Sequence, residues 1–381
     1  MSDNSSKSLL PEGLRDVLPP DAAFENEVVE RLMRTFALNG YDLVKPPLIE
    51  FEDTLLSGVG AGMGERIFRM LDPASHRTMG VRNDITTQVA RIAATRLNSD
   101  PRPLRLMYSG PVLRVKGTQL EPERQFTQAG IELIGADNGA ADTEVIAVVA
   151  EALKKLGVVG LSVDLALPTL VPALLAEAKL SHDAQTRVRA ALDHKDVAEI
   201  AVHAGSASGV LIKLIEASGP VDRALAEISK VALPSAAKRE WSALDDVARN
   251  LRTAIPEITI TLDAVENKGF EYHTGITFSI FAAASQREIG RGGRYKLPSG
   301  EAATGATLLI DALLPVVPAG RGAKRLYMAH GASRQEIARL QDDGWSVVAG
   351  LAPTPDQSGE ALRLKCSHVF KSGAIVALGK N

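Results

Sequence analysis

Only one cysteine, Cys366, occurs in 381 residues, so the chain can form no internal disulfide and no thiolate-based zinc cluster. No apolar run approaches the roughly 18 to 20 residues that cross a bilayer, which leaves no candidate membrane span. Neither sign of charge is in excess: 43 Lys and Arg stand against 46 Asp and Glu, a formal net charge of -3, and the basic residues are scattered. A polyphosphate backbone demands a concentrated positive footprint, so nucleic acid is not an expected partner. The seven histidines are dispersed, without a His-x-x-x-His pair or acidic residues at ligand spacing, and neither a metal nor another cofactor is expected. No period of 20 to 50 residues repeats, which removes solenoids. The polar start Met1 to Ser8 lacks the apolar core of a secretory leader, so a cytoplasmic chain is expected.

What is present is a chain 45% hydrophobic and 23% charged, enough for a large core and for two or three domains. After Pro19-Pro20, Asp21 can cap a helix in which Val28, Val29, Leu32, Met33 and Phe36 recur at helical spacing, closed by Gly40. Tyr41 to Glu50 alternates and meets two prolines, as a strand does at a sheet edge. Arg82 to Leu97 reads as a second helix with Asp84 at its N-cap position. Leu104 to Val115 and Arg124 to Gly135 are two extended runs around a polar stretch, an antiparallel pair joined by a loop. A helix ending at Gly157 and a strand near Leu161 to Leu165 follow. Residues 181–250 are almost wholly helix-forming, interrupted at Ala201 to Gly209 and at Gly219-Pro220. Extended patterns return at Ile258 to Ala264 and Ile276 to Ala283, and a small tail alternates strand and helix. This mixture is α+β. Gly290, Gly292 and Gly293 are followed by no phosphate-loop or dinucleotide signature and read as a turn. Ser109 lacks the Gly-x-Ser-x-Gly elbow of hydrolases, and Cys366 lacks an activating basic neighbourhood beyond Lys365.

The run YSGPVLRVKGTQLEPERQFTQAGIELIG, Tyr108 to Gly135, resembles the second signature motif of class II aminoacyl-tRNA synthetases in its histidyl form. PEGLRDVLPP, RNDIT at Arg82 to Thr86, and KGFEYHTG with GRGGRY between Lys268 and Tyr295 stand in the same order as in that family. The resemblance covers roughly residues 10 to 315. It implies an antiparallel sheet flanked by helices and a homodimer. Residues 1–180 and 251–320 would form the synthetase-like domain, 181–250 a helical insertion, and 321–381 a shortened C-terminal α/β appendage.

The resemblance also implies an amino-acid pocket. Asp84 and Thr86 match positions that hold the ligand's ammonium group, although a plain helix cap explains Asp84 as well. Gln128 and Glu132 lie four apart on one strand, hence on one face, and match histidine-contacting positions. A carboxylate there can accept an imidazole N–H, while a cross-strand ion pair is the plainer role for Glu132. Lys268, Tyr272 and His273 replace an arginine and two tyrosines of the family, so two of these three positions have changed. Lysine keeps the charge and loses the planar fork.

The nucleotide half departs further. Where the family pairs an arginine with a glutamate two residues later, this chain has Arg114 and Lys116, and an ammonium cannot accept hydrogen bonds from adenine. In GATLLIDALL, Gly305 to Leu314, Leu309, Asp311 and Ala312 stand where a glycine, a glutamate and a phosphate-binding arginine belong. Losing one preorganised donor costs about 100- to 1,000-fold in rate. Only about sixty residues follow the third motif, without a basic stripe for tRNA. A synthetase-like body with part of its histidine pocket and without its ATP residues resembles the regulatory subunits of short-form ATP phosphoribosyltransferase. Such a subunit is no enzyme; it serves a separate catalytic chain at the first step of histidine biosynthesis, with feedback by L-histidine. The rival reading is a divergent histidyl-tRNA synthetase, against which Lys116, Ala312 and the short tail argue.

Overall fold

A computed structural model of the chain describes residues 9–57, 67–118, 122–266, 272–285, 287–319 and 324–379. Helix α1 (Asp21–Leu38) buries Val28, Leu32 and Phe36 on one face. Gly40, at φ 82°, closes it, and the N–H groups of Gly40 and Tyr41 return to the carbonyls of Ala37 and Phe36. Asp21 is the first helical residue and not the cap, a position taken by Pro20. The alternation after it makes two strands in two sheets: β1 (Asp42–Leu43) at an edge of the main sheet and β2 (Ile49–Phe51) in a second one. Pro46 and Pro47 have no ladder N–H to give, so the chain leaves the first sheet there. After α2 (Glu52–Leu55), β3 (Phe68–Leu71) and β4 (Thr78–Val81) complete the three-stranded order β2-β4-β3, too short in each strand to show as alternation. Helix α3 (Thr86–Thr95) begins later than its apolar spacing indicates, with Ile85 as N-cap, so Asp84 is not the cap.

Strands β5 (Leu104–Leu113) and β6 (Gln125–Ile134) pair without a register break from Leu104 opposite Ile134 to Leu113 opposite Gln125. The Asn138 side chain accepts from the Ala141 N–H and starts α4 (Gly139–Lys155), which buries Val145, Ile146, Val149 and Leu153. Strand β7 (Leu161–Ala166) leads to α5 (Leu170–Glu177), α6 (His182–Asp193), α7 (Val197–His203) and α8 (Ser208–Ala217). Gly219-Pro220 is not only a break between helices: it forms a two-residue strand, β8 (Gly219–Pro220), which is followed by α9 (Val221–Ile228) and α10 (Ser235–Ala254). Strand β9 (Thr259–Asp263) pairs with β8 and β7, and β10 (His273–Ala282), β11 (Gly290–Lys296), β12 (Ala302–Leu309) and the single turn α11 (Ile310–Leu313) complete the unit.

The nine strands run in the order β1-β5-β6-β12-β11-β10-β7-β9-β8. Neighbours from β5 to β7 are antiparallel, while the outer pairs β1/β5 and β7/β9 are parallel, so the sheet is mixed at its margins. Gly290, Gly292 and Gly293 lie in β11 and not in a turn. A side chain on Gly292 would overlap the Gly305 carbonyl and the Phe278 ring, so glycine here serves close strand contact. Strand alternation sends Arg294 and Thr304 toward α4, where Asp142 accepts hydrogen bonds from both. Tyr295 and Thr307 therefore point to the other face.

Contacts divide the chain into two units, Met1–Pro318 and Ala319–Asn381. The second contains β13 (Arg325–Met328), α12 (Arg334–Asp342), β14 (Ser346–Ala349), α13 (Gln357–Arg363), β15 (His368–Lys371) and β16 (Ala374–Ala377), in the sheet order β14-β13-β15-β16. Leu326 and Met328 pack with Ile337 and Leu340 of α12, and Tyr327 packs with Ala361, Cys366 and Val369 on the α13 side. Two small cores on opposite faces of one sheet hold this unit.

Candidate functional site

On the face of the large sheet away from α4 lies a cavity of about 600 Å³, within the size range of small-molecule sites. Its inner end is organised by Glu132, which has no exposed surface. The Tyr295 hydroxyl donates to Glu132 Oε2 at 2.8 Å, and the Tyr108 hydroxyl stands 3.5 Å from Oε1. Tyr108 also shares hydrogen bonds with Thr307 Oγ1 at 2.7 Å and Thr86 Oγ1 at 3.2 Å. Gly305 is the register partner of Glu132, and a Cβ there would overlap the carboxylate. Glycine at this position makes room for the acid.

Burial pushes the Glu132 carboxyl up to about 8, against the hydrogen bonds from Tyr295, Thr86 and Tyr108 that pull it down. Asp84 nearby adds to the rise. Buried acids raised this far, in a cleft, cluster at functional sites.

Gln128 sits four residues earlier on the same face of β6. Its Oε1 accepts from the Ile85 N–H and its Nε2 donates to Asp84 Oδ2, each at 3.2 Å. Asp84 Oδ1 accepts from the Thr86 N–H at 2.8 Å, so the segment ahead of α3 holds this carboxylate in place beside the cavity. Its local role and a ligand-binding role are therefore compatible. At the mouth of the inner end, the His273 ring lies 3.9 Å from that of Tyr272, tilted by 32°, and Tyr272 meets Tyr295 edge-on at 6.2 Å.

The outer end carries Arg114, whose guanidinium sits 4.2 Å from the centre of the Phe126 ring, with exposed Lys116 and Arg291 also in the lining. Ala312 is buried and offers no charge. Asp311, beside it at the start of α11, faces Arg287 at 3.4 Å, and Arg287 also stands 4.0 Å from Glu123. Burial raises the Asp311 carboxyl, while the Arg287 and Arg114 charges oppose the rise.

Asp84, Thr86, Arg114, Gln128, Glu132, Tyr272 and His273 thus line a single cavity. Lys268 lies outside the described residues. Sequence reasoning missed Tyr108, Thr307 and Tyr295, which hold the acid; only for Thr307, flanked by Ala306 and Leu308, was there a local signal, a polar atom between apolar strand neighbours. Among the described residues, no group of three or more His, Cys, Asp or Glu could hold a metal ion, and no helix is long and apolar enough to cross a membrane.

Comparison with known proteins decides the family. Residues 13–313 match the model of the histidyl-tRNA synthetase family. The ATP phosphoribosyltransferase regulatory subunit of Paramagnetospirillum magneticum is 53% identical over 99% of both chains, and that of Gluconobacter oxydans 40% identical over 98% of both. The chain belongs to the ATP phosphoribosyltransferase regulatory-subunit family. Its role is accordingly regulatory and not catalytic. A structure from Bacillus halodurans, described as an ATP phosphoribosyltransferase regulatory subunit/histidyl-tRNA synthetase, superposes with TM-score 0.80 at 25% identity, over 93% of this chain and 96% of that one. Histidyl-tRNA synthetase from Nostoc also gives 0.80, at 16% identity, over 96% of this chain and 92% of its own, which shows the common class II fold.

Proposed function

We propose that the cavity binds free L-histidine and that its occupancy controls a catalytic ATP phosphoribosyltransferase partner, so that the end product of histidine biosynthesis restrains the first step. The observation that carries this reading is Glu132, buried between two tyrosine hydroxyls on the face that also presents Gln128 and Asp84. In this reading Asp84 and Thr86 take the ammonium group and Glu132 takes an imidazole N–H. Arg114 faces the ligand carboxylate, and Tyr272 and His273 flank the ring. Acid at one end and base at the other match a zwitterion whose side chain is a hydrogen-bond donor. A site that must pair its buried polar groups rejects amino acids that cannot pair with them.

Feedback needs only a ligand that binds one of two assembly states better, and a coupling of about 1 to 3 kcal/mol suffices for a several-fold change in the partner. We place this action in the cytoplasm, in a homodimer within a larger assembly that contains the catalytic chain. Residues 1–180 and 251–320 would carry the ligand, with 181–250 as an insertion and 321–381 as an appendage.

Calorimetric titration with L-histidine, alone and after Glu132→Gln, tests the proposal. A binding constant weakened more than tenfold by the substitution is the expected result, together with no histidine-dependent ATP–pyrophosphate exchange. Unchanged affinity would move the ligand away from this cavity, and robust exchange would make the chain a synthetase.

A further inference from the structure

Tyr108 has no exposed surface and stands behind the cavity wall, yet three groups that line the cavity meet at its hydroxyl. Thr307 Oγ1 lies 2.7 Å from it, Thr86 Oγ1 3.2 Å and Glu132 Oε1 3.5 Å. The side chain reaches them across β6. Gly130 is the register partner of Tyr108, and a Cβ there would come within 2.4 Å of the hydroxyl, so glycine at this position lets a β5 residue touch β12 and the start of α3 at once. In the reading proposed above, Thr86 stands with Asp84 at the ammonium end of the ligand, and Glu132 stands at the ring end. The Tyr108 hydroxyl lies between the two ends without touching the ligand itself.

A tyrosine or threonine hydroxyl has one proton to give and two lone pairs with which to accept. An ionised Glu132 can only accept, so one assignment uses all three contacts: Tyr108 donates to Glu132 and accepts from Thr86 and Thr307. Burial opposes that ionised state, and the surrounding hydroxyls favour it. An ammonium group that donates to Thr86 Oγ1 turns the threonine proton away from the ligand and toward the tyrosine oxygen. The donors then all point one way, from ammonium through Thr86 and Tyr108 to Glu132, and hydrogen bonds in such a chain polarise one another. A carboxylate supplied in this way is held ionised, and it accepts an imidazole N–H more strongly than a neutral acid does. We propose that Tyr108 is a positioning residue that couples the two halves of the cavity: through its hydroxyl, an ammonium group at Thr86 strengthens the ring contact at Glu132, which favours an intact α-amino acid over the same ring without its ammonium. The inference rests on the histidine reading of this cavity and adds to it a source of selectivity that touches no ligand atom.

The test compares two ligands by calorimetry: L-histidine, and imidazole-4-propionate, which keeps the ring and the carboxylate and lacks the ammonium group. The full chain, Tyr108→Phe, Thr86→Val and the double variant are titrated with each. Phenylalanine keeps the aromatic ring and removes only the hydroxyl. The preference for L-histidine should fall about fivefold or more in Tyr108→Phe, a size typical of coupling within one hydrogen-bond network. A hydroxyl that merely held the fold together would weaken both ligands by one factor, and an unchanged preference would overturn the inference. Adding Tyr108→Phe to Thr86→Val should lower the preference no further, since the chain is already broken at its first link; effects that multiply would likewise overturn it. If Tyr108→Phe does not fold, Thr86→Val decides alone. It should weaken imidazole-4-propionate about threefold, although that ligand has no ammonium group to place there, and unchanged affinity would count against the coupling. Absence of L-histidine binding to the parent chain sinks the histidine reading and this inference together, whereas parental binding with an unchanged preference in Tyr108→Phe sinks this inference alone.

Discussion

At the inner end of the cavity, Glu132, Gln128 and Asp84 are held by hydroxyls, amides and backbone N–H groups; the outer end presents Arg114, Lys116 and Arg291, the last paired with Glu288. The inner arrangement rests on the central strands and on the segment ahead of α3, and both of its carboxyl groups are held by neutral donors. Of the outer residues, Arg114 and Lys116 follow β5 outside the sheet, where substitutions are cheap to accommodate, and Arg291 lies in β11. In the reading proposed above, the better-supported end is the one that takes the imidazole and the ammonium group.

Several measurements would break or sharpen this contrast. The largest effect is expected from pH at the inner end. The Glu132 carboxyl stands at about 8 in the fold, above its ordinary 4.5, so the fold holds a proton that the unfolded chain releases. The stability from this group is complete below about pH 4.5 and is lost as pH rises through about 8, a decline of roughly 3 to 5 kcal/mol. Urea unfolding at pH 5 and pH 9 should show the parent chain losing ground to Glu132→Gln by that order. Parallel curves would mean that the acid is not held in this state.

Next comes the opposite face of the same strands. Arg294→Ala leaves Asp142 buried without its guanidinium and should cost about 3 kcal/mol in unfolding free energy. A change within 0.5 kcal/mol, an order expected of ordinary surface sites, would show that Thr304 alone satisfies the carboxylate. Gly305→Ala puts a methyl group into the Glu132 carboxylate, and histidine affinity should fall by about 100-fold; binding at parental strength would separate the ligand from Glu132. Arg114→Met probes the outer end, where removal of one charge-assisted contact should weaken histidine by about tenfold. No change would restrict recognition to the inner end. The smallest effect belongs to the second unit: Arg363→Ala removes an exposed pair with Glu360 and should leave the melting temperature and histidine binding unmoved.

Much of the centre of the fold was legible, and for a physical reason. The β5/β6 pair is two ten-residue strands rich in aliphatic and aromatic residues on either side of a polar stretch, long enough to read as extended runs. Gln128 and Glu132 were placed on one face by strand period alone. Short or composite elements were not legible. Tyr41 to Glu50 split between two sheets at Pro46-Pro47, and β2, β3 and β4 carry too few residues each for a periodic signal. The glycines of β11 imitate a turn; at Gly292 the reason is the nearness of the Gly305 carbonyl and the Phe278 ring on the neighbouring strands, which shows only once the strands are paired. Asp84 looked like a helix cap since it does accept the Thr86 N–H, although the helix begins after it.

By itself the sequence determined the α+β class, the motif order, Asp84, Thr86, Arg114, Gln128, Glu132, Tyr272 and His273 as residues of one cavity, and the alanine at position 312, since all of these depend on local residue type, period and motif order. Only the tertiary structure decided that Tyr108 and Tyr295 clasp Glu132, that Gly305 makes space for it, and that Glu123 and Asp311 converge on Arg287. Those contacts join strands and turns separated by up to 173 residues in the chain, from Glu132 to Gly305. Burial and charge there depend on what the whole sheet brings together, and no local pattern encodes that.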